Sequence, residues 1–274
     1  MDNEKFIDVR KIIQSKNSTL YRWMPRFIIR YLERILHQKE INKFLIDNKD
    51  VYNIEFCEQV IKLLNVQIDF IGLEKIPKTG KIVLAMNHPL GGMDAMALAS
   101  ALKGHREDLK FIVNDILLNL KNLNGIFIGV DKHGKNSLSK REQLANLFSM
   151  DEAVCIFPAG LVSRKINGEV MDLEWKKTFI TMSKKHQRTI IPIYIDGKLS
   201  NFFYRLSNFR KKIGIKANIE MLYLSNEFFK LQDKHIRIIV GEPIPFDSLP
   251  QELNERKQAF WVKDKVYELR KHSL

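Results

Sequence analysis

The spacing of apolar residues divides the chain into an all-helical beginning and a longer part in which strands alternate with helices. Up to about residue 65, apolar residues recur every three or four positions, which is the period of an amphipathic helix. This pattern predicts four helices, over residues 5–15, 19–37, 39–48 and 53–65. We therefore expect residues 1–65 to form a helical segment and residues 66–274 to form the main domain.

From residue 66 onward, short runs rich in β-branched and aromatic residues alternate with helical patterns. The predicted strands cover residues 66–72, 81–87, 109–114, 125–130, 153–158, 189–195, 217–224 and 235–241. The helical patterns between and after them cover residues 94–103, 138–149, 173–186, 200–213 and 250–272. This alternation predicts an α/β fold with a mixed, largely parallel sheet flanked by helices, in which ligands bind at the carboxyl ends of strands.

Composition and charge narrow the class of protein. A chain of 274 residues with 45% hydrophobic residues can bury a sizeable core, which excludes a disordered or collagen-like protein. The 45 basic and 32 acidic residues give a net charge of +13, which indicates an anionic partner: a membrane surface, a nucleic acid or an acidic ligand. The two cysteines, Cys57 and Cys155, favour a reducing, cytosolic compartment, and we expect neither a disulfide framework nor a cysteine-ligated zinc site.

The sequence shows no membrane-spanning run, but it offers an amphipathic, basic helix near its beginning. No stretch approaches the ~18 to 20 apolar residues that cross a bilayer, and the first residues do not resemble a signal peptide. The basic ridge consists of Arg22, Arg26, Arg30 and Arg34, beside Trp23, Phe27, Ile28, Tyr31, Leu32 and Ile35. Such a helix can dock in a membrane interface, while an ordinary helix packed on the protein body fits the pattern as well. Pro25 predicts that the helix begins or kinks there.

The segment IVLAMNHPLGGMDAMALASAL holds the most informative residues. Its apolar run predicts a buried strand that ends at Met86, so His88 follows at a strand end, and Asp94 is expected as the N-cap of the next helix. A carboxylate on one imidazole nitrogen leaves the other as a base near neutral pH, so His88 and Asp94 together can deprotonate a hydroxyl. The alternative is a structural histidine beside a turn whose aspartate only caps a helix.

Three later segments, in combination with this one, resemble the glycerolipid acyltransferase superfamily, which includes the lysophosphatidic acid acyltransferases. The first block of that superfamily has a His and an Asp separated by four residues, typically after an Asn. The segments that resemble its four blocks, in order, are NHPLGGMD, GIFIGVDKHGKNS, FPAGLVSR and TIIPIYIDG. The first begins at Asn87, which precedes His88, and the last ends at Gly197. Four blocks in the family's order are far more specific than any one of them.

The departures from the family's pattern bear on the acceptor. Five residues separate His88 from Asp94, Ala159 stands where a Glu is usual, and Gly129 with Val130 stands where an Arg is frequent. These features resemble a divergent branch that includes hemolysin-like proteins and the O-acyltransferases of ornithine and glycine lipids. We therefore weigh a lyso-aminolipid acceptor, such as lyso-glycine or lyso-ornithine lipid, at least equally with lysophosphatidate.

The resemblance implies a bacterial, membrane-associated enzyme of lipid biosynthesis, peripheral at the cytoplasmic face of the inner membrane. It would move a fatty acyl group from acyl carrier protein or coenzyme A to the hydroxyl of a lyso-lipid, with no metal or other cofactor. His88 would be the general base and Asp94 would orient it. The expected substrate contacts are Asn87, Gly91, Gly92, Gly160, Ser163 and Arg164. Arg164 would grip an anionic headgroup or the donor's phosphate, and N–H groups near Gly160 or in the PLGG turn would bind the oxyanion.

Other basic segments and other classes of protein offer alternatives to this hypothesis. Lys132 and Lys135 could replace the missing arginine of the second block. A second basic stretch carries Arg205, Arg210, Lys211, Lys212 and Lys216, interleaved with Phe202, Phe203, Tyr204 and Phe209, and is either a docking surface or a solvated face. The segment GVDKHGKN has the glycine spacing of a phosphate-binding loop but Asn136 in place of Ser or Thr. The remaining alternatives are a nucleic-acid-binding protein and a membrane-binding protein without catalysis; we expect no nucleic-acid partner.

Overall fold

The computed structural model describes residues 6–113, 117–129 and 140–273, and the chain forms two compact units. The helical unit comprises the chain up to Val51 together with Leu199–Leu231, and the sheet unit comprises Tyr52–Lys198 and Gln232–Leu274. This division differs from the boundary expected after residue 65. The last of the early helices belongs to the sheet unit, and a later segment belongs to the helical unit.

Across the described ranges, the sheet unit contains a seven-stranded mixed sheet and a small hairpin. The main sheet consists of β1 (Gln67–Ile71), β2 (Ile82–Met86), β3 (Leu109–Val113), β4 (Phe127–Gly129), β5 (Ala153–Ile156), β8 (Thr189–Asp196) and β9 (His235–Val240). The hairpin consists of β6 (Arg164–Ile166) and β7 (Glu169–Met171). The strand order is β1-β9-β8-β2-β5-β3-β4, and β8 and β9 are the antiparallel neighbours. The predicted mixed, largely parallel α/β sheet is therefore confirmed.

Helices cover the sheet and complete its core. They are α5 (Asn53–Leu63), α6 (Gly92–Ala101), α7 (Lys140–Ser149), α8 (Thr178–Lys185) and α11 (Glu255–Glu268). Every residue of β2 is buried, as is expected of a central strand with parallel neighbours on both sides. Helix α6 is buried from Met93 to Ala99, and α5 packs against it. The strand and helix that carry the predicted dyad are thus among the most enclosed elements of the unit.

A buried arginine joins several segments at the amino-terminal edge of the sheet. The Arg188 side chain donates hydrogen bonds to the carbonyl oxygens of Phe148 (2.8 Å), Ile82 (2.9 Å) and Glu152 (2.7 Å), and also to that of Met150. Burial lowers the pKa of Arg188 to about 10, so the guanidinium stays protonated at neutral pH. One side chain therefore satisfies carbonyl groups from the start of β2, the end of α7 and the approach to β5.

The helical unit is built from two segments that are far apart in sequence. Its helices are α1 (Val9–Lys16), α2 (Ser18–Trp23), α3 (Arg26–Ile35), α4 (Gln38–Asp47), α9 (Asn201–Lys212) and α10 (Leu224–Phe229). The predicted helix over 19–37 is interrupted at Pro25, which precedes α3 as its N-cap residue. The hydroxyl groups of Tyr31 and Tyr223 lie 2.7 Å apart, and the His37 ring stacks on that of Phe229.

One predicted element was wrong, and one element of the structure was not predicted. The strand expected over 217–224 is a 3₁₀ helix (Ile219–Tyr223) that continues into α10. Its fully buried residue is Glu220, which pairs with Arg210 at 2.5 Å, so a buried ion pair overrides the apparent apolar alternation. The hairpin of β6 and β7 was not predicted, although Asn167 and Gly168 at its turn, both with positive φ, are a strong hairpin signal.

Within the part of the chain that the structure describes, no helix combines the length and the apolar character needed to cross a bilayer.

Candidate active site

The predicted dyad forms where the buried strand β2 leaves the sheet. Asn87, the first residue after β2, uses both ends of its amide to pair with the main chain of β8: Nδ2 donates to the Ile195 carbonyl (2.8 Å) and Oδ1 accepts from the Ile195 N–H (2.7 Å). These bonds fix the chain at the point from which His88 projects. The Asn87 amide, which was predicted to contact substrate, therefore stabilises the end of β2.

A tight turn then directs the chain into α6 and brings Asp94 back to the histidine. Gly91 has φ +68°, a conformation that glycine adopts without strain, and it is the N-cap residue of α6. Asp94 lies in the first turn of the helix and is not the N-cap that the sequence suggested. Its carboxylate accepts hydrogen bonds from the Leu90 N–H (3.2 and 3.0 Å) and from Nδ1 of His88 (2.8 Å).

The electrostatics of this pair suit a base. The Asp94 side chain is completely buried, whereas that of His88 is 18% exposed. Burial raises the pKa of Asp94 to about 6, and the hydrogen bond and charge of His88 partly oppose the rise. At neutral pH the carboxylate is therefore ionised, so it holds the proton of the imidazole on Nδ1 and leaves Nε2 as an acceptor.

The third block of the sequence packs against the dyad because β5 is the parallel neighbour of β2. The Phe157 ring, just beyond the end of β5, stacks on the His88 ring with centroids 4.1 Å apart. Gly160 has φ +66° and its N–H donates to the Phe157 carbonyl (2.9 Å), so this N–H is already used within the turn. The exposed Lys176 extends over the turn: its Nζ would lie 3.0 Å from a Cβ placed on Gly160.

Ser163 and Arg164, the last residues of the third block, are both buried. The Ser163 N–H donates to the His88 carbonyl (2.8 Å), which ties the block to the histidine main chain. One Arg164 nitrogen, Nη1, donates to the Val162 carbonyl (2.5 Å). The guanidinium predicted to grip an anionic group is thus enclosed by protein and is not displayed at an open surface.

Asp172 belongs to the site, and sequence reasoning missed it. One of its carboxylate oxygens accepts from the His88 N–H (3.1 Å) and from the Ser163 hydroxyl (2.5 Å), and the other accepts from Trp175 Nε1 (2.8 Å). The residue is 1% exposed and lies 84 positions after His88. The surrounding sequence, MDLEW, carries no spacing signal that would have revealed it.

The other predicted segments lie in different places. Gly129 ends β4, and two strands separate β4 from β2, a lateral distance of about 14 Å at the usual strand spacing. Val130, Lys132 and Lys135 of the second block lie outside the described residues. The fourth block lies in β8, where Pro192 is opposite Ala85 of β2. The first, third and fourth blocks therefore come together at neighbouring strands, whereas the described end of the second lies at the sheet edge.

Comparison with known proteins extends over nearly the whole chain. A family model described as "Acyltransferase" matches residues 11–274. The lyso-glycine lipid O-acyltransferase of Bacteroides thetaiotaomicron is 40% identical over 98% of this chain and 99% of its own. The enzyme of the same name from Phocaeicola vulgatus is 39% identical over 98% and 96%.

A solved structure is also similar. It is the crystal structure of the 1-acyl-sn-glycerophosphate acyltransferase of Thermotoga maritima, with 17% identity, a TM-score of 0.49, and coverage of 96% of this chain and 93% of that one.

The family match and the two relatives confirm the resemblance inferred from the four blocks. They agree with a site in which a histidine, oriented by a buried carboxylate, is placed at the end of a central strand. The chain belongs to the acyltransferase family, and the protein is an enzyme that transfers acyl groups.

Proposed function

We propose that this enzyme transfers a fatty acyl group from an acyl thioester to the hydroxyl of a lyso-glycine lipid. The acceptor is suggested by the two relatives of that name, which align with almost the full chain at 39% and 40% identity. The observation that carries the chemistry is the 2.8 Å hydrogen bond between His88 and the buried Asp94. A base of this kind activates a hydroxyl, which is the reacting group of a lyso-lipid.

The proposed reaction uses His88 twice. Nε2 of His88 takes the proton of the acceptor hydroxyl while the oxygen attacks the thioester carbonyl, and Asp94 stabilises the imidazolium that forms. Collapse of the tetrahedral intermediate breaks the carbon–sulfur bond, and the departing thiolate receives the proton from His88. The products are an ester and a free thiol, and the histidine returns to its starting state. Because the thioester is already activated, we propose that the reaction needs no metal or other cofactor.

We assign stabilisation of the oxyanion to the amino end of α6. The Leu90 N–H is occupied by Asp94, and the Gly160 N–H is occupied by Phe157. Helix geometry leaves the N–H groups of Gly92 and Met93, in the first turn, without intrahelical acceptors, and the helix dipole favours negative charge there. A Cβ placed on Gly92 would have no neighbouring atom within 4 Å, so the main chain of this residue is open to a ligand.

Binding of an anionic substrate group would fall to side chains beyond the dyad. The exposed Lys176 lies beside the Gly160 turn and offers a charge suited to a carboxylate or a phosphate. Arg164 is buried, so we expect it to stabilise the segment around the Gly160 turn. Lys176 would bind either the carboxylate of a lipid or the phosphate of acyl carrier protein or coenzyme A. The assay described below compares the two acyl donors.

We further propose that the helical unit docks on an anionic membrane, at the cytoplasmic face and without spanning it. The four arginines of the ridge and the rings of Trp23 (81% exposed) and Phe27 (69% exposed) all face solvent. Phe209, Lys211 and Lys212 of the second basic stretch are exposed on the same unit. Exposed rings interleaved with cations are typical of interfacial binding.

Not every residue of the second stretch takes part in such a surface. Arg210 is buried in its ion pair with Glu220, and the rings of Phe203 and Tyr204 lie in the core.

A panel assay tests the proposed function. Labelled acyl carrier protein and acyl coenzyme A are each offered with lyso-glycine lipid, lyso-ornithine lipid and lysophosphatidate, to wild type, His88→Ala and His105→Ala. We expect acylation of lyso-glycine lipid that His88→Ala lowers by at least about 1000-fold. His105, which bonds to the Ile76 carbonyl before β2 begins, is the matched control and should retain activity. Preferred acylation of lysophosphatidate would overturn the acceptor, and full activity of His88→Ala would overturn the mechanism.

A further inference from the structure

The catalytic histidine is held by two aspartates, and they act on different parts of it. Asp94 binds the imidazole at Nδ1, whereas Asp172 binds the main-chain N–H of the same residue at 3.1 Å. The His88 carbonyl accepts from the Ser163 N–H, and the Ser163 hydroxyl donates to the same Asp172 oxygen. Both peptide groups that flank the His88 Cα are therefore fixed by the segment between β5 and α8.

The Asp172 carboxylate is suited to this task because donors surround it. It receives N–H or O–H groups from His88, Ser163 and Trp175, and an ionised carboxylate accepts all three at once. His88 has already left the sheet, so its partly buried N–H has no ladder partner and is satisfied by this acceptor. Loss of the carboxylate would leave the histidine main chain without its anchor.

The C-terminal helix α11 holds Asp172 in turn. The ammonium of Lys263, a buried residue, donates to the Asp172 carbonyl at 2.7 Å, and the Asp172 N–H donates to the Tyr267 hydroxyl at 2.7 Å. The donors and acceptors of the Asp172 main chain are thus fixed by a helix, while its side chain fixes His88. Rigid supports of this kind set the geometry of a catalytic group.

We propose that Asp172 is a positioning residue for acyl transfer, which acts through the main chain of His88 to hold Nε2 at the acceptor hydroxyl. The inference rests on the proposed role of His88 as the base. Misplacement of a catalytic group by about 1 Å costs roughly 100-fold in rate, without a matching change in substrate affinity. Asp172 should therefore affect kcat and leave KM nearly unchanged.

The test compares Asp172→Ala with Asp172→Asn and Trp175→Phe. Asp172→Ala removes the acceptor of the His88 N–H, and we expect kcat to fall about 10- to 100-fold with KM within about twofold. The amide oxygen of Asp172→Asn can still accept from the His88 N–H and the Ser163 hydroxyl while its NH₂ group faces Trp175, so this variant should keep most of the rate. Trp175→Phe removes the third donor, empties part of the core, and should lower the thermal midpoint but keep kcat within about threefold. An equal loss of kcat in Asp172→Ala and Trp175→Phe would reduce Asp172 to a structural role.

A spectroscopic measurement separates this inference from the identity of the substrate. The proton on Nδ1 of His88, held by Asp94, should give a downfield NMR signal that is independent of any acceptor. We expect Asp172→Ala to shift or broaden this signal although Asp94 is intact, and Trp175→Phe to leave it in place. If Asp172→Ala does not fold, Asp172→Glu, which keeps the charge but moves the carboxylate by about one methylene group, is measured in its place. An unmoved signal together with a kcat within about twofold of wild type would overturn the proposal.

Discussion

Nδ1 of His88 and Oδ2 of Asp94 lie 2.8 Å apart across a glycine turn, and the carboxylate of this pair is completely buried. Burial favours the protonated acid and, against the opposing effects of His88 and the Leu90 N–H, raises the pKa of Asp94 to about 6. The two donors keep the ionised form accessible at neutral pH. The buried carboxylate is thus ionised at neutral pH at a cost in folding stability.

Substitution Asp94→Asn should nearly abolish acyl transfer without disturbing the turn. The amide oxygen can still accept from the Leu90 N–H, but the NH₂ group then faces Nδ1 of His88. The histidine would be forced to carry its proton on Nε2, which is the wrong tautomer for a base. We expect kcat to fall about 10³- to 10⁴-fold in the panel assay. Retention of more than a tenth of the wild-type rate would contradict the orienting role of Asp94.

The same substitution should stabilise the fold at neutral pH. The pKa of Asp94 is raised from 3.8 to about 6, so the folded state prefers the protonated acid, and stability is lost as the pH rises from about 4 to about 6. Asparagine lacks this penalty, which is at most about 3 kcal/mol. Thermal unfolding of both proteins from pH 4 to 8 should show a difference that grows up to pH 6 and then stays constant. Asp50→Asn, at an exposed carboxylate, is the control for the loss of one negative charge, and an equal growth of the difference in both variants would contradict the prediction.

Activity should decline below pH 6. Protonation of Asp94, whose pKa is about 6, removes the carboxylate that holds the imidazole in its working tautomer. We expect kcat to fall about tenfold for each pH unit below this value, as an apparent titration of the dyad as a whole. The measurement is kcat at saturating acceptor between pH 4.5 and 8, on protein shown to be folded throughout. A flat profile down to pH 5 would speak against an ionised Asp94 in the reaction.

Membrane docking predicts a loss of vesicle binding when the exposed rings are removed. Replacement of Trp23 and Phe27 together by serine should weaken partition to anionic vesicles by about 3 kcal/mol, or roughly 100-fold. Phe260, exposed on α11, is a matched ring, and Phe260→Ser should bind as wild type does. Co-sedimentation with phosphatidylglycerol vesicles measures the difference. Equal binding by wild type, the Trp23 and Phe27 double variant and Phe260→Ser would contradict membrane docking through these rings.

Replacement of Arg188 should strongly destabilise the sheet unit. Arg188→Met would leave the carbonyl groups of Ile82, Phe148 and Glu152 without their donor, at about 1–3 kcal/mol for each buried acceptor that stays unpaired. We expect a loss of at least about 3 kcal/mol in the free energy of unfolding, read from denaturant midpoints. Arg256→Met, which removes an exposed ion pair, should cost less than about 1 kcal/mol. A similar loss in both variants would contradict the assignment.

Local patterns predicted the strand ends at which the site forms, because burial and chain direction are encoded in short runs. The apolar run before Asn87 predicted a buried strand. Only the family resemblance implied that the segment after β5 belongs to the same site, and the parallel pairing of β2 with β5 accounts for it. The stacking of Phe157 on His88 follows from that topology. The N-cap expected at Asp94 was wrong because the helix begins earlier, at Gly92 with Gly91 as its N-cap residue, so that Asp94 lies in the first turn.

Long-range partners were beyond the reach of the same reasoning. Asp172 is distinguished by the three donors that bind its carboxylate, on His88, Ser163 and Trp175. The sequence around it does not set it apart from any other aspartate. Arg210 lies in a basic run that is typical of a solvated face, yet it is buried in an ion pair with Glu220, ten positions later. The turn at Asn167 could have been read from its Asn-Gly pair, whereas the enclosure of Arg164 depends on the fold around it.

The position of β9 between β1 and β8 also constrains how the protein comes to be folded. Strand β1 is paired with β9, and β9 connects it to the rest of the described sheet. Synthesis delivers β1 well before β9, so among the described strands β1 has no sheet partner on the ribosome until residues 235–240 emerge. Such non-local pairing slows folding and leaves an unpaired strand edge on the nascent chain. A recombinant protein shortened before β9 would keep this edge permanently, and we expect it to aggregate even though it retains His88 and Asp94.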